Sequence, residues 1–148
     1  MKIKEIMEKE VVSVKPEDNV IDVLDLLLKM QISGLPVIDA QGKLKGMFTE
    51  KEVLAHILPS YVEKVGRFVY DENPKAVRQK IVSLRTKKVE EIMRREVVTL
   101  DEDTALCEAA STMLTQKARR IPILNKAKEV VGIVSRGDVV KALFEERK

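Results

Sequence analysis

KIKEIMEKEVVSV, residues 2–14, returns 86 positions later as KVEEIMRREVVTL at 88–100. Without a gap, the same offset lays GLPVID (34–39) on RIPILN (120–125) and KGMFTEKEVL (45–54) on VGIVSRGDVV (131–140). Identical positions include Lys2, Glu5, Ile6, Met7, Glu10, Val11, Val12, Pro36, Gly46 and Val53 with their partners, and most other pairs stay apolar or polar together. Repetition at a fixed period outranks any local pattern, because it fixes the unit from which the chain is built. Here one unit is written twice, at 2–58 and at 88–144.

Each copy changes period in the same order. A β-type run at 11–14 or 97–100 leads to acidic, cap-forming residues at 17–19 or 101–104. A helix follows in which Val20, Val23, Leu24, Leu27 and Met30, or Leu106, Ala109, Ala110, Met113 and Leu114, recur at helical spacing. Two short strands come next, 35–38 and 44–48 around Gly42, then 121–124 and 130–134 around a tighter, charged turn. A second helix closes each copy, over 50–58 and 136–145. The fold class is therefore α/β (α+β), two β-α-β-β-α units. So short a unit buries too little to stand alone, so the copies must cover each other's apolar faces. The expected organisation is repeat one at 1–58, a helical connector at 59–87 and repeat two at 88–148. In the connector, Tyr61, Val62, Val65, Phe68 and Val69 predict one short amphipathic helix, and Ala76, Val77, Ile81 and Leu84 another.

Composition narrows the function. The chain has 148 residues, 45 % of them hydrophobic and 34 % charged, which fits a globular domain rather than a disordered or membrane-spanning one. MKIKEIMEKE contains no apolar core of a signal peptide, so a cytoplasmic location and no membrane partner are expected. With a single cysteine, Cys107, and a single histidine, His56, neither a disulfide nor a Cys/His metal set can be assembled. Both read as structural, and no nucleophile–base pair is visible, so no enzyme is expected. A net charge of +3 and few aromatics give nucleic acid no stacking platform, although the basic stretch 78–95 keeps that reading as a third alternative. The Lys/Glu-rich composition leans toward a heat-adapted source.

The order EIM–VV, then Leu35-Pro36-Val37 and Ile121-Pro122-Ile123, then Gly46-Met47-Phe48-Thr49-x-x-Glu52 and Gly132-Ile133-Val134-Ser135-x-x-Asp138, resembles a tandem pair of CBS domains, a Bateman module, of the stand-alone kind. The resemblance implies two repeats packed about a pseudo-twofold axis with two clefts between them. It implies a non-catalytic regulatory module that binds an adenosine-containing ligand (AMP, ADP, ATP or S-adenosylmethionine), needs no other cofactor and pairs as a homodimer. The protein that receives its signal is unknown. Val53, Leu54 and Ile57 with Val139, Val140 and Leu143 are the candidate dimer surface. The rival reading is a scaffold for dimerisation with no ligand.

From the residues themselves, Ser135 stands at a strand-to-helix junction whose free amides favour a phosphate, and Asp138, one turn on, offers a carboxylate to a ribose. Ser-x-x-Asp and Thr49-x-x-Glu52 are equally capping boxes that need no ligand, and Glu is the usual residue for that task. The capping reading is weighted toward Thr49/Glu52 and the ribose reading toward Ser135/Asp138. The resemblance further implies a main cleft of Val98, Ile133, Ser135 and Asp138, reached from the first copy by Ser33 and Gly34, and Arg136 beside Asp138 is expected to supply its positive charge. A second, weaker cleft would hold Val12, Met47, Thr49 and Glu52, reached by Arg119 and Arg120.

Overall fold

A computed structural model of the protein describes residues 1–58, 62–64, 67–69 and 74–146. In the first half, helix α1 (Val20–Met30) is capped by Asn19, whose side chain accepts from the amides of Ile21 and Asp22. Strands β1 (Gly34–Ile38) and β2 (Leu44–Thr49) form an antiparallel hairpin, and α2 (Glu50–Ile57) closes the unit. The second half repeats this with α5 (Leu106–Thr115), β6 (Arg120–Leu124), β7 (Val130–Ser135) and α6 (Arg136–Glu146). The fold class read from the sequence is the one observed.

The run at 97–100 is a strand only at its end, where β5 (Leu100–Asp101) pairs parallel with β6; its counterpart is a single bridge from Val14 to Val37. Between the halves, β3 (Val62–Lys64) and β4 (Arg67–Val69) pair antiparallel, with Val62 opposite Val69. This corrects the predicted helix: Val and Phe favour strands, and helical and strand periods are hard to separate over so few residues. Tyr61 and Val65 lie outside the described residues. The second predicted connector helix is present as α3 (Pro74–Ser83), followed by a 3₁₀ turn and the short α4 (Val89–Ile92).

Two apolar cores hold the structure, and neither is made by one sequence repeat alone. The first gathers Val20, Val23, Leu27, Leu35, Val37 and Phe48 with Leu84 from the end of the connector and Val89 and Met93 from after it. The second gathers Leu106, Ala109, Met113, Ile121, Ile123 and Val134 with Ile3, from the start of the chain. The opening segment of each copy has thus crossed to the other copy. Lys2 bridges Ala105 and Glu8 bridges Ile133, while Lys88 bridges Asn19 and Arg94 bridges Met47. The 86-residue offset carries the first two pairs onto the last two, and the bridge from Lys43 to Glu129 maps onto itself. A pseudo-twofold axis passing by Lys43 and Glu129 accounts for all five.

The glycines shared by the two copies sit where the crossed segments press closest. A Cβ on Gly46 would come within 2.5 Å of the Arg94 carbonyl oxygen, and one on Gly132 within 2.4 Å of the Met7 sulfur. Hydrogen bonds of 2.9 Å in both directions between Met47 and Arg94 hold that approach, and bonds of 2.9 and 3.0 Å between Glu8 and Ile133 hold the other.

Candidate functional site

Crossing of the opening segments creates the clefts. After pairing with Ile133 at Glu8, the chain returns to its own half at Val14, beside Pro36 and Ile38. Residues in between span the seam, so Val12 lands beside Ile133 and Pro36. By the same path Val98, lying between Arg94 and Leu100, lands beside Met47 and Thr49.

Two open clefts result, of about 400 and 330 Å³. Both fall within the roughly 300–1,000 Å³ typical of small-molecule sites. The smaller is lined by Val12, Met30, Ile32, Ile133, Ser135 and Asp138. Adding 86 to or subtracting it from these numbers gives Val98, Gln116, Ala118, Met47 and Thr49 of the larger cleft, and only Glu52 is missing from that set. Each cleft therefore takes its apolar wall from the opening segment of one half and the end of β2 or β7 from the other.

This regroups the residues expected from sequence. Ile133, Ser135 and Asp138 share a cleft as anticipated, but their valine is Val12, and Val98 belongs with Met47 and Thr49. Ser33 and Gly34 also line the Thr49 cleft rather than the Asp138 cleft, because Gly34 lies directly opposite Thr49 in the β1–β2 register. Arg119 and Arg120 line the Thr49 cleft as expected, and Arg120, opposite Ser135 on β6, also borders the other. Arg136 lines neither: its amide donates to the Arg119 carbonyl at 2.9 Å and its side chain is exposed. The positive charge beside Asp138 comes from Arg120 instead.

Capping falls at the opposite junction from the one to which it was weighted. At Ser135 the capping box is formed: the Asp138 amide donates to Ser135 Oγ at 3.1 Å, and the Ser135 amide donates to Asp138 Oδ2 at 3.0 Å. Asp138 is half-buried, and among the described residues its Oδ1 accepts no hydrogen bond, while the cleft beside it stays open. At Thr49 no cap bond is made; the hydroxyl donates to the Glu52 carboxylate, which also stands 3.9 Å from Arg94 Nη1. Glu52 is thus drawn out of the cleft that its sequence position predicts.

Sequence reasoning overlooked five charged cleft residues, among them Lys117, which lines the Thr49 cleft just after α5. Glu8 and Glu10 line the Asp138 cleft, and Arg94 and Glu96 the Thr49 cleft. The crossing brings these four there, and the unlike pair Glu8/Arg94, within an otherwise well-matched stretch, is the one sign the sequence held.

Two half-units related by a pseudo-twofold axis, with ligand-sized grooves at their seam, define the class as a paired-repeat module. The CBS domain family model matches residues 3–59 and 89–145, and the chain belongs to that family as a tandem pair. An uncharacterised protein of Methanocaldococcus jannaschii is 34 % identical, with 97 % of this chain and 92 % of that protein covered. Inosine-5'-monophosphate dehydrogenase of the same organism is 30 % identical over 95 % of this chain, which spans 23 % of the enzyme. Among solved structures, CBSX2 of Arabidopsis thaliana in complex with AMP superposes with a TM-score of 0.76 at 26 % identity, covering 99 % of this chain and 98 % of that one.

Proposed function

We propose that the protein is a non-catalytic regulatory module that binds adenosine-containing ligands in the clefts between its repeats at 1–58 and 88–148, which the stretch 59–87 joins. The observation that carries this reading is the pair of open grooves. Each is walled by both halves, so a ligand in either touches both and favours the arrangement that fits it. The AMP complex of the related CBSX2 supports the ligand class. Matching only a small part of the related dehydrogenase supports a role beside, rather than in, catalysis.

The signal passes to a partner through a homodimer. Val53 and Val139 are buried core residues, and Ile57 and Leu143 pack half-buried against the cores, which removes them from the surface expected to dimerise. Adjacent helix positions lie on different faces, so Leu54 and Val140 are exposed instead, joined one turn later by Leu58 and Phe144. The 86-residue offset relates Leu54 to Val140 and Leu58 to Phe144, so the two patches repeat as the halves do.

Thermal unfolding with AMP, ADP, ATP or S-adenosylmethionine tests the reading. A ligand at about 100 times its dissociation constant adds about 2.7 kcal/mol, a shift well outside error. No shift with any of the four would leave the dimerisation scaffold as the better account.

A further inference from the structure

The two clefts share a plan but not a charge. The Thr49 cleft is lined by Arg94, Lys117, Arg119 and Arg120 against one carboxylate, Glu96. Among the described residues Lys117, Arg119 and Arg120 have no carboxylate within ion-pair distance, and Arg94 shares a longer 3.9 Å contact with Glu52. The Asp138 cleft is lined by Glu8, Glu10 and Asp138 against Arg120 alone. Under the repeat Glu8 stands where Arg94 does, while Lys117, Arg119 and Arg120 correspond to the uncharged Gln31, Ser33 and Gly34, none of which lines the Asp138 cleft.

A groove with one sign of charge on low-dielectric walls concentrates ligands of the other sign. A phosphate monoester carries close to two negative charges at neutral pH, and guanidinium groups match its oxygens in a fork. The Thr49 cleft offers two adjacent arginines and a lysine for that group. In the Asp138 cleft the same phosphate would meet three carboxylates. Glu8 accepts from the Glu10 amide at 3.0 Å and Asp138 from the Ser135 amide, and among the described residues neither has a cation within ion-pair distance.

We propose that the clefts divide adenosine ligands by charge: the Thr49 cleft takes those bearing phosphate, and the Asp138 cleft takes those without it, neutral or cationic. The proposal rests on the ligand class set out above and goes beyond it by assigning each cleft its own kind. Arg120 borders both clefts and so does not distinguish them.

Calorimetry on the intact chain tests it with AMP as the phosphate probe and S-adenosylmethionine, which has no phosphate and a net positive charge, as the other. Two pairs of substitutions are compared, Lys117→Gln with Arg119→Gln, and Glu8→Gln with Glu10→Gln; glutamine retains the acceptor oxygen that Glu8 uses. The first pair is expected to weaken AMP at least tenfold, with a shallower salt dependence, and to leave S-adenosylmethionine within twofold. The second pair is expected to weaken S-adenosylmethionine at least threefold and to leave AMP unchanged or tighter. Protein saturated with AMP should still titrate with S-adenosylmethionine. Full competition between the two, or loss of AMP binding in the glutamate variants with none in the lysine–arginine ones, overturns the assignment while leaving adenosine sensing intact. If neither probe binds, the ligand class itself fails and the assignment falls with it.

Discussion

Gly46 and Gly132 show how much depends on single positions at the seam. A side chain at Gly46 meets the Arg94 carbonyl oxygen at 2.5 Å, a backbone atom held by two 2.9 Å hydrogen bonds to Met47. A side chain at Gly132 first meets the Met7 sulfur at 2.4 Å, the far part of a flexible thioether. Overfilling a packed site costs about 1–3 kcal/mol. Gly46→Ala is therefore expected to lose stability in that range by urea unfolding, and Gly132→Ala distinctly less, because Met7 can rotate aside. Equal losses would mean that the two crossings are not held as described. Asp138 belongs to this scale too: its carboxylate completes a helix cap, and the oxygen left over faces a site with few cations.

At the scale of elements, the short opening segments hold the halves together more than their length would imply. Ile3 is fully buried among Leu106, Ala109 and Met113, and Val89, its partner under the repeat, is fully buried with Val20 and Leu27. Emptying such a position in a packed core costs about 2–5 kcal/mol for a large aliphatic side chain, and somewhat less for valine. Ile3→Ala is expected to speed amide hydrogen exchange in α5 and α6, in the half remote from it in sequence. Val89→Ala should instead loosen α1 and α2. Exchange that rises in the mutated residue's own repeat would refute the crossing. The helices were legible because their apolar stripes recur at a fixed spacing. The β3–β4 pair was not, since runs of three residues carry no usable period.

Across the whole molecule, charge adds a weak tie to the apolar seam. Lys4 Nζ lies 2.9 Å from Asp103 and Lys2 Nζ 3.6 Å, joining the chain's start to the entrance of α5. The hydrogen bond from Lys4 holds the Asp103 carboxyl below the usual carboxylate range, and the same bond raises Lys4 above the ordinary lysine value. A carboxyl that binds its proton less readily folded than unfolded adds stability above its ordinary titration range and loses it as pH falls through the folded value. Because these groups are exposed, the effect is small and fades with salt. Asp103→Asn should accordingly lower thermal stability slightly at neutral pH and low ionic strength, and the difference from the parent should close as pH falls below about 4, as differential scanning calorimetry would read.

The sequence by itself determined the repeat, its 86-residue offset, the α/β order within each copy, most of the buried stripes and the residue types at the two strand-to-helix junctions. Tertiary structure alone decided which copy each opening segment joins, and with it which valine faces Asp138, which carboxylates enter the clefts and why the clefts differ in charge. The physical reason lies in the repetition. Ile3 and Val89 are near-equivalent hydrophobes, so either can fill the same cavity, and burial patterns report that a side chain is covered without saying by which copy. Only the path of the backbone through Glu8 and Ile133, and through Arg94 and Met47, resolves the choice.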